Sequence, residues 1–295
     1  MKKFLLISVL LITVHLVNAQ QPITFADDTQ TFGTLEFPGI WVDIPEASAK
    51  TILENWAKTI QKGTKSKPVI SGQDVSLFGA LIKDIFEGPV NIESRIKAQD
   101  SMVRLFAGVE LRRGEFAVSG SPEYQKLKDF LKKFAKGEYI EVAEKQLSAE
   151  EARLKDLEKN LSGLRKDRER FDKEIQSSNA DIAKENDNIL AYRKQLEVTD
   201  QSIGSLTTDI SLASDPETKK QKESELKSAQ KKKKDLLKDI SNSENRISKA
   251  NHNIEDAKNN ILLNTKSQEE AGVKINTQKI TVGEFVQKLK KIKSY

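Results

Sequence analysis

Apolar side chains recur every seven residues through a long polar stretch, residues 147–271. With Leu154 at position a, the a series runs Leu154, Leu161, Arg168, Ile175, Ile182, Ile189, Leu196, Ile203 and Ile210. The d series runs Leu157, Leu164, Phe171, Ser178, Glu185, Tyr192, Thr199 and Leu206, with no slip in phase. Lys, Glu, Asp and Asn occupy most other positions, and a repeat of about 3.5 residues of this length is the pattern of a helix whose seam needs a partner helix. Ser211-Leu-Ala-Ser-Asp-Pro216 interrupts it, since Ser and Asp favour turns and N-caps and proline disfavours a helical residue before it. A second series follows, with Leu226, Lys233, Ile240, Ile247, Ile254 and Ile261 at a and Ala229, Leu236, Ser243, Ala250 and Ala257 at d. The simplest partner for the first helix is the second, folded back as an antiparallel hairpin around residues 211–217. Bringing Leu206 opposite residue 223 places Ile182 near Ile247 and Ile175 near Ile254. Arms of about 55 to 65 residues, at roughly 1.5 Å each, reach on the order of 80 to 95 Å.

Upstream, residues 20–140 change period repeatedly and predict an α+β head: a small antiparallel sheet with two helices. Residues 20–34 read as a loose leader or a first edge strand. Leu35, Phe37, Ile40, Trp41, Val42 and Ile44 read as a strand pair or bent strand, with Pro38-Gly39 as the bend. Ala49, Ile52, Leu53, Trp56, Ala57 and Ile60 share one face of an amphipathic helix closed by Gly63. Residues 75–85 mix strand and helix spacing. Val90, Ile92, Ser94, Ile96 and Ala98 alternate with polar residues, as do Val103, Leu105, Ala107, Val109 and Leu111, so the two runs predict a hairpin turning at residues 99–101. A short strand over 116–118 precedes Ser121-Pro122-Glu123, a helix start with Ser as N-cap and Pro at the first helical position. Tyr124, Leu127, Phe130, Leu131 and Phe134 then make an apolar face expected to cover the sheet. Ile140, Ala143 and Leu147 already keep the coiled-coil phase, so this helix is expected to run into the first arm, with Lys136-Gly137 as the likeliest hinge.

The last 23 residues, 273–295, predict a separate basic helix returning to the head. Thr281-Val-Gly-Glu284 has the spacing of a capping box, and Val282, Phe285, Val286, Leu289 and Ile292 form its stripe. Docking on the head is the expected arrangement; a basic amphipathic helix lying on an anionic membrane is the rival.

Charge follows these divisions. The formal net charge is +5, yet residues 20–140 hold 16 basic and 16 acidic side chains. The surplus is in the tail, where Lys274, Lys279, Lys288, Lys290, Lys291 and Lys293 face Glu284 alone. No basic stripe with aromatic platforms suggests nucleic acid. Lys2 and Lys3, an apolar run from Phe4 to Val17 and Val17-Asn18-Ala19 have the form of a secretory signal over residues 1–19, cleaved near Ala19. No later run is apolar enough to span a bilayer. The expectation is an exported protein, periplasmic or secreted, with no transmembrane span.

Candidate chemistry is sparse. With no cysteine in the chain, disulfides, thiolate catalysis and cysteine-held zinc are excluded. Once the signal is removed, His252 is the single histidine, placed on the solvent side of the coil, so neither a serine triad nor a histidine metal centre is expected. There is no P-loop sequence, and the Lys231–Lys234 run sits among acidic residues on a solvated face. Glu87, Glu93 and Glu110 are the carboxylates in the head that could serve glycoside chemistry. The reading is therefore non-enzymatic, with no catalytic, metal or cofactor site and no cofactor. The residues expected to matter are the seam: Leu154, Leu157, Leu161, Leu164, Phe171, Ile175, Ile182, Ile189, Leu196, Ile203, Leu206, Leu226, Leu236, Ile240, Ile247, Ile254 and Ile261.

These features predict an exported coiled-coil interaction or scaffolding protein of the cell envelope, with protein partners at the coiled-coil tip, residues 206–226, or on the head sheet. Leu190, Val198, Leu237 and Leu262 on the outer faces leave room for a homo-oligomer. A signal peptide, a basic balance and helical-hairpin arms resemble the periplasmic Skp/OmpH chaperones, and the resemblance implies a holdase as an alternative. Those chaperones are shorter and trimerise through a small β body, whereas this head is large and neutral. A coiled-coil regulator of an envelope hydrolase is the other alternative.

Overall fold

The computed structural model describes residues 22–295, so the expected signal segment and its cleavage position lie outside the described residues. Among the described residues the fold is α+β: an antiparallel sheet of seven strands and, beside one short helix, two very long helices that pair with each other. It divides into two compact units, one ending at Leu154 and including Thr277–Tyr295, the other spanning Lys155–Asn276.

In the first unit the strands are β1 (Phe25–Phe32), β2 (Leu35–Pro45), β3 (Val69–Ser71), β4 (Asp74–Ala80), β5 (Val90–Gln99), β6 (Met102–Arg112) and β7 (Glu115–Phe116). Their order is β1-β2-β6-β5-β4-β3, with β7 also on β6. The alternation seen in β5 and β6 sends Val90, Ile92 and Ile96, with Val103, Leu105, Ala107 and Val109, to one face. Helix α1 (Ala49–Gln61) and the start of α2 (Pro122–Leu212) cover that face with Ile52, Trp56, Ile60, Leu127, Leu131 and Phe134. Ser121 caps α2 as expected, its hydroxyl accepting from the Tyr124 N–H at 3.2 Å.

Four local readings are settled or corrected. Residues 35–45 form one continuous strand, which removes the strand pair of the two readings. Gly39 is there for close approach: it stands opposite Gly108, and a Cβ on it would lie 2.3 Å from the Ala107 carbonyl oxygen. Pro38 stands one residue before the pairing with β6 begins at Gly39, so no ladder bond to β6 is lost. The mixed spacing over 75–85 is a strand, β4, followed by a tight turn in which the Ile85 N–H donates to the Ile82 carbonyl at 2.9 Å. Lys136-Gly137 is no break, since α2 runs unbroken through it.

The fourth reading, at the other end, is corrected. No helix begins at Thr281, because α3 (Pro216–Ser294) is a single helix. The Thr281 hydroxyl donates back to the Thr277 carbonyl instead of capping. The heptad phase explains this: Ile261, Gln268, Ile275, Val282 and Leu289 continue the a series, Asn264, Ala271, Gln278, Phe285 and Ile292 the d series, and every one is at least partly buried. An uninterrupted seam gives the helix no reason to stop.

In the second unit α2 ends at Leu212 and α3 starts at Pro216. The Asp215 carboxylate caps α3, accepting from the Thr218 N–H at 3.0 Å. The bond from the Thr218 hydroxyl, and after it that from the Thr218 N–H, holds the Asp215 pKa below the ordinary aspartate value. Asp209 with Lys222, Asp200 with Lys233, Arg193 with Glu244, Glu185 with Arg246 and the Leu164 carbonyl with Asn264 pair the arms antiparallel from the turn outward.

Candidate interaction surfaces

The seam residues named from the heptads all lie inward. Ile189, Leu236, Ile240 and Ile254 are buried, and Leu154, Leu157, Leu161, Leu164, Phe171, Ile175, Ile182, Leu196, Ile203, Leu206, Leu226, Ile247 and Ile261 are half-buried. Ala250 and Ala257 are buried at d, where a small side chain lets backbones approach. Polar side chains share the seam: Ser178, Glu185, Thr199, Ser243 and Asn264 are all buried at d. Glu185 accepts from Asn188 at 3.2 Å and from Arg246 at 3.0 Å, and hydrogen bonding, from Ser243 above all, keeps its pKa below the usual glutamate value. Arg168 donates to the Thr265 hydroxyl at 3.0 Å, and Lys233 meets Asp200 at 2.8 Å. Glu185, Arg168 and Lys233 thus each find a partner across the arms, a common means of setting register. Leu190, Val198, Leu237 and Leu262 point outward and are exposed.

The head sheet has a second face that the helices do not cover. Residues of the opposite parity meet there: Phe37, Trp41 and Phe106 form a small buried cluster with Phe32 and Phe116 against it. The Phe106 ring occupies the space that a Gly39 side chain would fill. Cations close the cluster from outside: the Arg95 guanidinium lies 4.7 Å from the Phe32 ring centre, and Lys97 and Arg104 lie 5.0 and 5.1 Å from Trp41. The Trp41 indole donates to Asp28 at 2.7 Å, and this bond is the main reason the Asp28 carboxyl titrates below its ordinary range. Arg95 is bidentate to Asp74 at 2.7 and 2.8 Å and also donates to the Gln30 side chain and the Thr31 carbonyl. The alternation read in β5 and β6 put Arg95, Lys97, Arg104 and Phe106 on the face opposite the apolar row, but the pairing between Arg95 and β1 left no mark in the sequence.

Two of the three candidate carboxylates are built into β5 and β6. Glu93 is buried and accepts from the Ser76 hydroxyl at 2.5 Å, and burial raises its pKa. Glu110 accepts from the Gly114 N–H at 2.9 Å and from Asn91 at 2.8 Å, contacts that lower its pKa and close the β6–β7 turn. Glu87 lies outside the strands, in the connection between β4 and β5. An open groove of about 490 Å³ lies between α1, α2 and the turn after β4, floored by Ile82, Phe130 and Phe134 and edged by Lys62, Lys83 and Lys133. At its end Glu138 is held by Asn55 at 3.0 and 3.1 Å, and desolvation raises its pKa. None of the three carboxylates lines it. Among the described residues no three His, Cys, Asp or Glu side chains come together to hold a metal. His252 is exposed, 3.4 Å from Asp256.

A polar cluster that the sequence did not announce ties the end of α3 to the head. Lys288 donates to both Glu46 oxygens at 2.7 and 2.6 Å and to Gln146 at 3.0 Å, while Gln146 donates to Glu46 at 2.9 Å. Tyr139, Ala143 and Ile292 form the apolar cluster next to it. Burial and the nearby Glu46 charge hold the Tyr139 phenol protonated, well above its ordinary range. Glu46 has a positive φ of 59°, which leaves no trace in composition or periodicity.

No protein-family model matches this chain, and no curated protein matches it. No described helix is long and apolar enough to cross a membrane.

Proposed function

We propose that this protein is a non-enzymatic interaction or scaffolding module exported to the cell envelope, with the paired arms as the element that presents a binding surface to a partner protein. The observation that carries the reading is the pairing of the arms in the second unit. Their apolar seam residues are buried or half-buried between the arms, and Glu185–Arg246 and Lys233–Asp200 pair across it, so the outward residues are left for other work. Isolated Leu190, Val198 and Leu262 on those outer faces are contact points of the kind that such a hairpin offers, although scattered apolar side chains alone are ordinary. The signal-like pattern of residues 1–19 and the cysteine-free composition support placement in the envelope, where a chain held by packing alone needs no oxidation to fold.

Photo-crosslinking in the producing cell tests it, with a photoreactive residue replacing Leu190, Val198, Leu212 or Leu262 in turn. One defined crosslinked polypeptide from adjacent positions supports the scaffold. A smear of many unfolded membrane proteins, with suppression of their aggregation by the purified chain at stoichiometric amounts, replaces it with the holdase alternative.

A further inference from the structure

Glu46 is the one non-glycine residue with positive φ among the described residues, at 59°. It follows Pro45 at the end of β2, and glycine would take this conformation without a Cβ penalty. A charged residue at a site fit for glycine points to a use for its side chain. The Glu46 backbone N–H is spent on the Ser101 carbonyl at 2.8 Å, in the β5–β6 turn. Its carboxylate closes a ring with Lys288 and Gln146 in which every pair is bonded. The Lys288 side chain is only 9% exposed. The Glu46 side chain keeps 24% of its surface exposed, so the pair is half-buried; such a pair adds little net stability over an apolar replacement, but without Glu46 the Lys288 ammonium is left mostly away from water.

The segment it holds has modest means of its own. Ile292 is buried against Tyr139 and Ala143, with Leu289 and Tyr295 packed beside it, in a cluster separate from the core between the sheet and its helices. Lys293 pairs with Glu144 at 2.8 Å, and Lys136 donates to the Lys293 carbonyl at 2.9 Å. We propose that the Glu46–Gln146–Lys288 ring is a latch: it holds Glu46 in the left-handed conformation and the last turns of α3 on the head, and the two release together as one local transition. Release uncovers Tyr139, Ile140 and Ala143 on α2. It also frees the Phe285, Leu289 and Ile292 stripe with Lys290, Lys291 and Lys293 beside it.

Hydrogen exchange followed by mass spectrometry on the full chain tests the latch, using Lys288→Met, Glu46→Gln and Glu46→Gly. Removing either charge is expected to speed exchange of residues 285–294 by about tenfold or more and to speed residues 46–50 with them, while β5 and β6 stay protected. Glu46→Gly is expected to free the tail equally yet unfold at a higher temperature than Glu46→Gln, because strain goes with the contact. Tail exchange within about twofold of the parent in both charge variants overturns the latch, as does a tail that opens without residues 46–50. A Glu46→Gly midpoint at or below that of Glu46→Gln overturns the claim of strain. Should Lys288→Met fail to fold, Lys288→Gln carries the same expectation, because it removes the charge from the pair while keeping a polar end.

Discussion

The Trp56 indole N–H donates to the Ser94 hydroxyl at 2.8 Å in the interior of the head, where both side chains are fully buried. Ser94 occupies an inward slot of β5 between Ile92 and Ile96, and Trp56 comes from the buried face of α1. The bond gives a hydroxyl in an apolar row its reason and fixes α1 on the strand. Ser94→Ala is expected to cost about 1 to 3 kcal/mol, because the indole donor is left buried without an acceptor. Urea unfolding of the purified chain reads the loss; a change below about 0.5 kcal/mol would mean that water or another acceptor reaches the indole.

Two glycines separate packing from propensity. Gly39→Ala is expected to destabilise by roughly 3 kcal/mol or more, since the added methyl meets the rigid Ala107 carbonyl and the neighbouring strands must part. Gly137→Ala meets open space in the middle of α2 and is expected to stabilise by about 1 kcal/mol. Thermal melts of the two variants side by side measure both signs.

Glu93 gives a pH dependence with a definite sign. Burial raises its folded pKa above the ordinary glutamate value, despite the bond from Ser76. Between the unfolded and the folded pKa the native state binds more protons, so stability falls as pH rises through that window. Glu93→Gln keeps an oxygen for Ser76 and carries no charge. Its stability relative to the parent is therefore expected to improve from pH 4 to pH 7, followed by urea midpoints across that range. A difference flat in pH would place the Glu93 carboxyl in contact with water.

The arm register is open to a covalent test. Glu185 meets Arg246 and Arg193 meets Glu244, so Ile182 and Ile247 face the same level of the seam. Ile182→Cys with Ile247→Cys is expected to form a disulfide within one chain on mild oxidation, with no native thiol to compete. Non-reducing electrophoresis and intact mass decide it, since bridges found only between chains would mean that the arms pair intermolecularly.

The long-range architecture was legible where a single physical period dominates. An apolar residue every seven positions admits few solutions, and the break at residues 211–216 requires the arms to double back. Strict alternation in β5 and β6 likewise assigned their two faces, because a pleated strand has no third direction. Pattern failed where two forces competed. Pro38-Gly39 looks like a break by local preference, yet one strand runs through it, and Gly39 lets β6 approach. Thr281-Val-Gly-Glu284 matches a cap, yet the seam holds α3 helical across it. Gly137 looks like a hinge, yet the paired helix spans it.

By itself, then, the sequence determined which faces are apolar, where the chain must turn, and that two arms of matching phase seek each other, since all of these are consequences of local geometry and the removal of apolar surface from water. Only the tertiary structure decided which polar groups answer one another: Trp56 with Ser94, Glu185 with Arg246, Trp41 with Asp28, and Glu46 with Lys288 across 242 positions of chain. A hydrogen bond depends on angles and distances of about 3 Å, and residues that far apart in the chain reach such distances only once the rest of the fold is in place.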